Sequence, residues 1–166
     1  MKRIACALAV ALALTGCTSG DTEEPRAASP EGPAETSAAA ACPTTYPATV
    51  LPHWARAGFS EPDPSVPHVL GDRGDMAAIV WAAQDPLSAP PAADKSNKIL
   101  WVARVGAGDG PLRIRAVLGG TEQTVSRTVE PAPGPSIIDL PEPGCWSLDL
   151  TWGRHHDHLE LGYASG

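Results

Sequence analysis

Apolar and polar residues alternate along several short segments in the second half of the chain. In segment 145–152, Trp146, Leu148, Leu150 and Trp152 lie on one face of an extended strand and polar residues occupy the positions between them. The same alternation predicts strands over 112–118 and 158–163. Two apolar runs, 77–83 and 99–105, and two short segments next to turn residues, 124–129 and 136–140, are also predicted to be strands. Six to seven short strands separated by turn residues predict an all-β fold, an antiparallel β-sandwich. A barrel would show the same pattern.

The region ahead of these strands is rich in proline. Residues 42–67 contain six prolines, which remove backbone donors and prevent a long helix. No strand is predicted there. We expect this region to run over the surface of the sheets, with Trp54 and Phe59 packed against them.

The first residues have the pattern of a secretory signal. Lys2 and Arg3 precede an apolar run over 4–13, which is shorter than the about 20 residues that span a bilayer. The Leu-Thr-Gly-Cys tetrad ending at Cys17 resembles the bacterial lipobox, in which the chain is cut before a diacylated cysteine. The pattern therefore predicts a lipoprotein signal peptide over 1–16 and a lipid anchor at Cys17. The alternative is an ordinary cleaved signal that leaves Cys17 as a thiol.

Composition divides the rest of the chain into a linker and a domain. Residues 17–41 combine prolines, alanines and acidic residues without an aromatic side chain, which predicts a disordered linker. Residues 42–166 have the length and apolar content of one domain. The net charge of −7 argues against nucleic acid as a partner. We expect the domain to stand on the extracytoplasmic face of the bacterial cell membrane.

Two unmodified cysteines remain after the predicted processing, Cys42 and Cys145. An even pair in an exported domain usually forms a disulfide, because the compartment is oxidising. Cys145 lies on the strand face opposite Trp146, so we expect the bridge to hold the proline-rich region over the outside of the sheet or at its rim. A redox or metal-binding pair is the alternative.

Three short motifs resemble a group of uncharacterised bacterial exported proteins. These motifs are Cys-Pro-Thr at 42–44, Lys-Ile-Leu-Trp at 98–101 and Pro-Gly-Cys-Trp at 143–146. The resemblance implies an all-β, immunoglobulin-like domain between an early Cys-Pro and a late Gly-Cys-Trp. It also supports the disulfide, and it implies no activity. The pattern differs from antibody domains, because Cys42 precedes the predicted strands.

The most concentrated group of candidate ligands is the segment from Arg154 to His158. His155, His156 and His158 could bind Zn²⁺ or Cu²⁺ through neutral imidazoles, and Asp157 could add an oxygen ligand. The segment falls between two predicted strands, so the alternative is a solvated hairpin turn. The chain contains no Gly-x-Ser-x-Gly elbow, no P-loop and no Gly-x-Gly-x-x-Gly motif.

These observations predict a membrane-anchored lipoprotein of the cell envelope that serves as a binding or structural module. We expect no catalytic activity and no cofactor. The expected partners are the lipid bilayer, through acylated Cys17, and either another envelope protein or a cell-wall component. A metal-handling lipoprotein that uses the loop from His155 to His158 is the main alternative, and an enzyme with an unrecognised site is another.

Overall fold

The computed structural model describes residues 42–81 and 86–166. The signal peptide, the acylation site at Cys17 and the linker predicted over 17–41 therefore lie outside the described residues. Within the described ranges, the chain has no helix with the length and apolar character needed to cross a membrane.

The described chain forms ten strands and one short 3₁₀ turn, His53–Ala55. The strands are β1 (Ala48–Val50), β2 (Ser65–Leu70), β3 (Met76–Val80), β4 (Ser88–Ala89), β5 (Lys98–Ala103), β6 (Leu112–Leu118), β7 (Thr124–Val129), β8 (Pro135–Ile137), β9 (Gly144–Trp152) and β10 (His155–Ser165). The all-β prediction is confirmed. The predicted count of six to seven strands is wrong, because β1 and β2 lie in the proline-rich region and β4 has only two residues.

The strands form two five-stranded sheets. The first sheet has the order β1-β2-β3-β5-β8 and the second has the order β4-β10-β9-β6-β7. The sheet pairings are antiparallel except that β4 runs parallel to β10. The expectation of a purely antiparallel arrangement is therefore wrong for this one pair. The architecture also includes a sheet that curls into half a barrel.

An apolar core lies between the two sheets. Trp101 of β5 comes from the first sheet, and Trp146 and Trp152 of β9 come from the second. Each buried indole N–H donates a hydrogen bond, to the Ser136 hydroxyl, the Glu142 carbonyl and the Val105 carbonyl respectively. These bonds allow large aromatic rings to fill the core without leaving a polar atom unsatisfied.

A second apolar cluster covers the outer face of the first sheet. All five residues of β3 are buried, and its alternate residues Ala77 and Ile79 face away from the main core. Leu51 of the proline-rich region packs on them, with Trp54 and Phe59 at the margin of the cluster. The proline-rich region therefore covers this face of the sheet, as the sequence predicted, and explains why β3 is apolar on both faces.

Other parts of the chain contact the free edge of β10 at three places. The Asp72 N–H donates to the His158 carbonyl at 2.8 Å. The Gly162 N–H donates to the Tyr46 hydroxyl at 2.8 Å, and β4 pairs with the end of the strand. These contacts satisfy backbone groups that an exposed edge strand would offer to another chain.

Cys42 and Cys145 form the predicted disulfide. Their Cα atoms are 5.4 Å apart and their separation in sequence is 103 residues. In β9 the buried residues alternate with more exposed ones, and Cys145 lies on the face opposite the buried Trp146. The bridge therefore fastens the start of the proline-rich region to the outer face of the second sheet.

Removing the disulfide should destabilise the domain without altering its strands. Cys145→Ser, or reduction of the parent protein, should lower the free energy of unfolding by about 2–5 kcal/mol, because the unfolded chain loses a long closed loop. Chemical denaturation of oxidised and reduced protein measures the difference. Full thiol labelling of both cysteines in freshly exported, denatured and unreduced protein would contradict the bridge.

Candidate functional site

The histidine-rich segment lies at one end of the β9–β10 hairpin. A two-residue turn, Gly153 and Arg154, joins the strands, and Gly153 adopts a φ of +53°, in the left-handed region that favours glycine. Trp152 therefore pairs directly with His155. The prediction that the histidines lie on a loop is wrong, because a shorter turn lets β10 begin at His155.

Asp157 is buried, with a relative exposure of 3%. It lies where the start of β10 meets the β2–β3 turn, and this junction between the two sheets is called the corner below. One carboxylate oxygen, Oδ1, accepts hydrogen bonds from the N–H groups of Arg73 at 2.9 Å and His158 at 2.8 Å. The other, Oδ2, accepts from Asp75 at 2.9 Å and Met76 at 3.0 Å. The side chain therefore joins β10 of the second sheet to the β2–β3 turn of the first.

The same contacts keep Asp157 ionised. Burial by itself raises the pKa of its carboxyl group, because desolvation disfavours the charged form. The four backbone N–H donors stabilise the carboxylate and outweigh burial, so the pKa of Asp157 lies below its ordinary value of 3.8. At neutral pH the site is a buried anion held by backbone groups.

The β2–β3 turn is shaped to receive this carboxylate. The sequence predicted a hairpin turn at Asp72-Arg73-Gly74-Asp75, and β2 and β3 do pair in antiparallel fashion on either side of it. A Cβ atom at Gly71 would collide with the carboxylate of Asp157. Only glycine leaves room at this position for the carboxylate to approach the turn.

His158 lies next to Asp157 and makes contacts on both sides of its ring. Its Nδ1 is 3.0 Å from Asp72 Oδ2, and its Nε2 is 2.7 Å from Ser147 Oγ. A carboxylate can only accept a hydrogen bond, so the proton of the neutral imidazole resides on Nδ1. The Nε2 atom then accepts the hydrogen bond that the Ser147 hydroxyl donates.

The other candidate metal ligands point to different partners. His155 Nε2 lies 3.0 Å from Asp109 Oδ2, and its ring stacks on Trp152 with centroids 5.7 Å apart. Asp157 is occupied by the backbone donors described above. His156 is exposed on the strand between them. The structure therefore does not bring His155, His156, His158 and Asp157 together around one point.

Among the described residues, one group of cysteine and acidic side chains has metal-ligand spacing, Cys42, Cys145 and Glu160. Both of its sulfur atoms belong to the disulfide. Metal ions bind thiolates, so the oxidised pair is not available as a ligand set.

A surface pocket of about 600 Å³ adjoins the corner. Val69 and Leu70 of β2 contribute apolar surface to its lining. Asp72, His158 and Glu160 contribute polar groups. This volume lies within the range of about 300–1,000 Å³ that is typical of small-molecule sites.

Ser147 and Asp72 were not predicted from the sequence as partners of His158. The register of the β9–β10 hairpin is enough to predict one of these two contacts, the one between Ser147 and His158. With the turn at Gly153 and Arg154, His158 pairs with Asp149, and Ser147 is its diagonal neighbour on the same face of the sheet. Asp72 has no such local signal, because it is 86 residues away from His158 in the sequence.

Comparisons of the chain with protein-family models, curated proteins and solved structures found no match.

Replacing the buried carboxylate should strongly destabilise the fold. Asp157→Asn places an amide where two backbone N–H groups need an acceptor, so the free energy of unfolding should fall by about 3 kcal/mol or more. Because the folded pKa is lowered, the stabilisation from ionised Asp157 is present above about pH 4 and is lost as the pH falls through the folded pKa. The difference between parent and variant should narrow over that acidic range.

Denaturation of both proteins from pH 7 down to pH 2 measures this effect. Asp149→Asn is a matched control, since the Asp149 side chain is 58% exposed and makes one long ion pair, with Arg115 at 3.4 Å. That change should alter stability by less than about 0.5 kcal/mol at pH 7. Equal effects of the two substitutions would show that the buried carboxylate has no special role.

The dispersed histidines should bind metal only weakly. Because no shared coordination sphere orients their rings, titration of the parent protein with Zn²⁺ or Cu²⁺ should give no dissociation constant below about 1 μM. The comparison is with a variant in which His155, His156 and His158 are all replaced by serine. A single nanomolar site that disappears in this variant would instead support the metal-handling alternative.

Proposed function

We propose that this protein is a lipid-anchored binding or structural module of the bacterial cell envelope. The disulfide between Cys42 and Cys145 is the structural observation that carries the proposal. Stable disulfides are typical of exported proteins and rare in the reducing cytoplasm. This agrees with the lipobox-like tetrad at Cys17 and the signal pattern ahead of it.

The linker supports a role at a distance from the membrane surface. Residues 17–41 lie between the proposed anchor and the domain, and the Gly/Ser-type coil estimate for 25 residues is a span of roughly 25–30 Å. Two acyl chains provide stable anchoring, whereas one provides only marginal binding. We propose that the linker holds the domain beyond the lipid headgroups, where another envelope protein or a cell-wall component can reach it.

We also propose that the two sheets form an immunoglobulin-like sandwich of seven strands, with β1 and β2 added to the edge of the first sheet and the short β4 to the edge of the second. In the first sheet, β3, β5 and β8 follow the neighbour order A-B-E. In the second, β10, β9, β6 and β7 follow the order G-F-C-C′. The bridge differs from that of antibody domains, since Cys42 precedes all ten strands.

Anchoring can be tested at the proposed acylation site. Cys17→Ala should abolish lipidation, so the protein should move from the detergent phase to the aqueous phase in detergent phase separation. Mass spectrometry of the parent protein should show a diacylated N-terminal cysteine. Cys6→Ala is the matched control, because Cys6 leaves with the signal peptide and its loss should not affect partitioning.

The proposal is contradicted if the Cys17→Ala protein partitions into the detergent phase as the parent does. The proposal is also contradicted if the parent protein keeps its signal peptide and Cys17 is unmodified.

A further inference from the structure

We propose that Ser147 is a nucleophile for acyl transfer from neutral carboxylic esters, with His158 as its general base and Asp72 as the residue that positions the imidazole. The three side chains come from β9, β10 and the β2–β3 turn. Their contacts of 2.7 Å and 3.0 Å match the hydrogen bonds that connect a serine nucleophile, its base and the group that orients the base. The inference goes beyond the anchored module and does not depend on lipidation of Cys17.

The backbone around His158 and Asp72 is fixed by hydrogen bonds. The His158 N–H donates to Asp157 Oδ1, and the His158 carbonyl accepts from the Asp72 N–H at 2.8 Å. The buried carboxylate therefore holds both the strand that carries the base and the turn that carries its partner. A catalytic group gains most when its supports hold it in position before the substrate binds.

The His158–Asp72 pair is exposed, so it contributes little to the stability of the fold. The His158 side chain is 37% exposed and the Asp72 side chain is 74% exposed. In such a pair, screening by water and the loss of side-chain entropy offset most of the attraction. The orientation of the ring is therefore not needed to hold the domain together, and the ring is accessible to a small molecule.

The proposed reaction has two steps, acylation of Ser147 and hydrolysis of the acyl-serine. Ser147 Oγ attacks the ester carbonyl carbon while its proton moves to His158 Nε2, and the carbon–oxygen bond to the alcohol then breaks as the imidazolium returns that proton to the leaving oxygen. Water next attacks the acyl-serine with His158 again as base. Carboxylic acid is released and the Ser147 hydroxyl is restored.

The adjoining pocket favours a small, uncharged ester. Leu70, which is 41% exposed, and the partly buried Val69 offer apolar surface to an acyl group. Asp72 and Glu160 line the same pocket, so an anionic substrate would be repelled. Ser147 pairs with Glu160 across the β9–β10 ladder, which places the nucleophile one strand away from a residue of the pocket lining.

A fluorophosphonate probe tests the nucleophile directly. The full chain, purified in detergent, should be labelled on Ser147, as located by peptide mass spectrometry. Ser147→Ala should remove the label, and His158→Gln should slow labelling by at least about 100-fold, the usual range for a general base. Ser126→Ala and His156→Gln are controls that remove an exposed serine of the same sheet and an imidazole near His158, and both should be labelled as the parent is.

Hydrolysis of p-nitrophenyl acetate tests the positioning role of Asp72. Asp72→Asn should lower kcat at least about tenfold with KM unchanged, because it alters the orientation of the base and leaves the apolar surface of the pocket intact. Thermal unfolding of each variant should stay at the parent midpoint.

The proposal is overturned if the parent chain carries no label on Ser147, if His158→Gln is labelled at the parent rate, or if Asp72→Asn retains the parent kcat. Location of the label in the parent chain needs no variant, so misfolding of a variant cannot obscure the result. Anchoring of the chain is measured separately and can fail without affecting these outcomes.

Discussion

The corner between the two sheets depends on the carboxylate of Asp157. An isolated charge would be expelled from this buried position, and it is retained because four backbone N–H groups point at it. Three of these donors belong to the β2–β3 turn and its exit, so the charge and the turn stabilise each other. Gly71 is part of the same constraint, since a side chain there would occupy the volume of the carboxylate.

The last strand is where the separate constraints of the fold meet. One edge of β10 pairs with β9, and the other edge is divided among the β2–β3 turn, Tyr46 and β4. The disulfide holds the chain just before Tyr46 to the outer face of β9. The first and last segments of the domain therefore depend on each other, although they are distant in sequence.

Consecutive residues of β10 point to opposite faces of the sheet, so a residue that stabilises the fold lies next to one with a proposed catalytic role. Asp157 points inward and ties the two sheets together, and the next residue, His158, points outward to Ser147 and Asp72. The buried Asp157, held by four backbone N–H groups, thus positions His158, which is the proposed general base for Ser147.

The sequence by itself determined much of the strand pattern and the covalent bridge. Segments 112–118 and 124–129 coincide with β6 and β7, because apolar alternation in the first and the Gly119-Gly120 turn ahead of the second are local signals. The disulfide between Cys42 and Cys145 was predicted because these are the two unmodified cysteines left after the expected processing, and because exported proteins fold in an oxidising compartment. Only the tertiary structure decided that proline-rich segments and a two-residue segment would become β1, β2 and β4, since neighbouring strands supply their hydrogen bonds. It also decided that Asp72 meets His158, because a contact across 86 residues is created by packing and leaves no periodic trace in the chain.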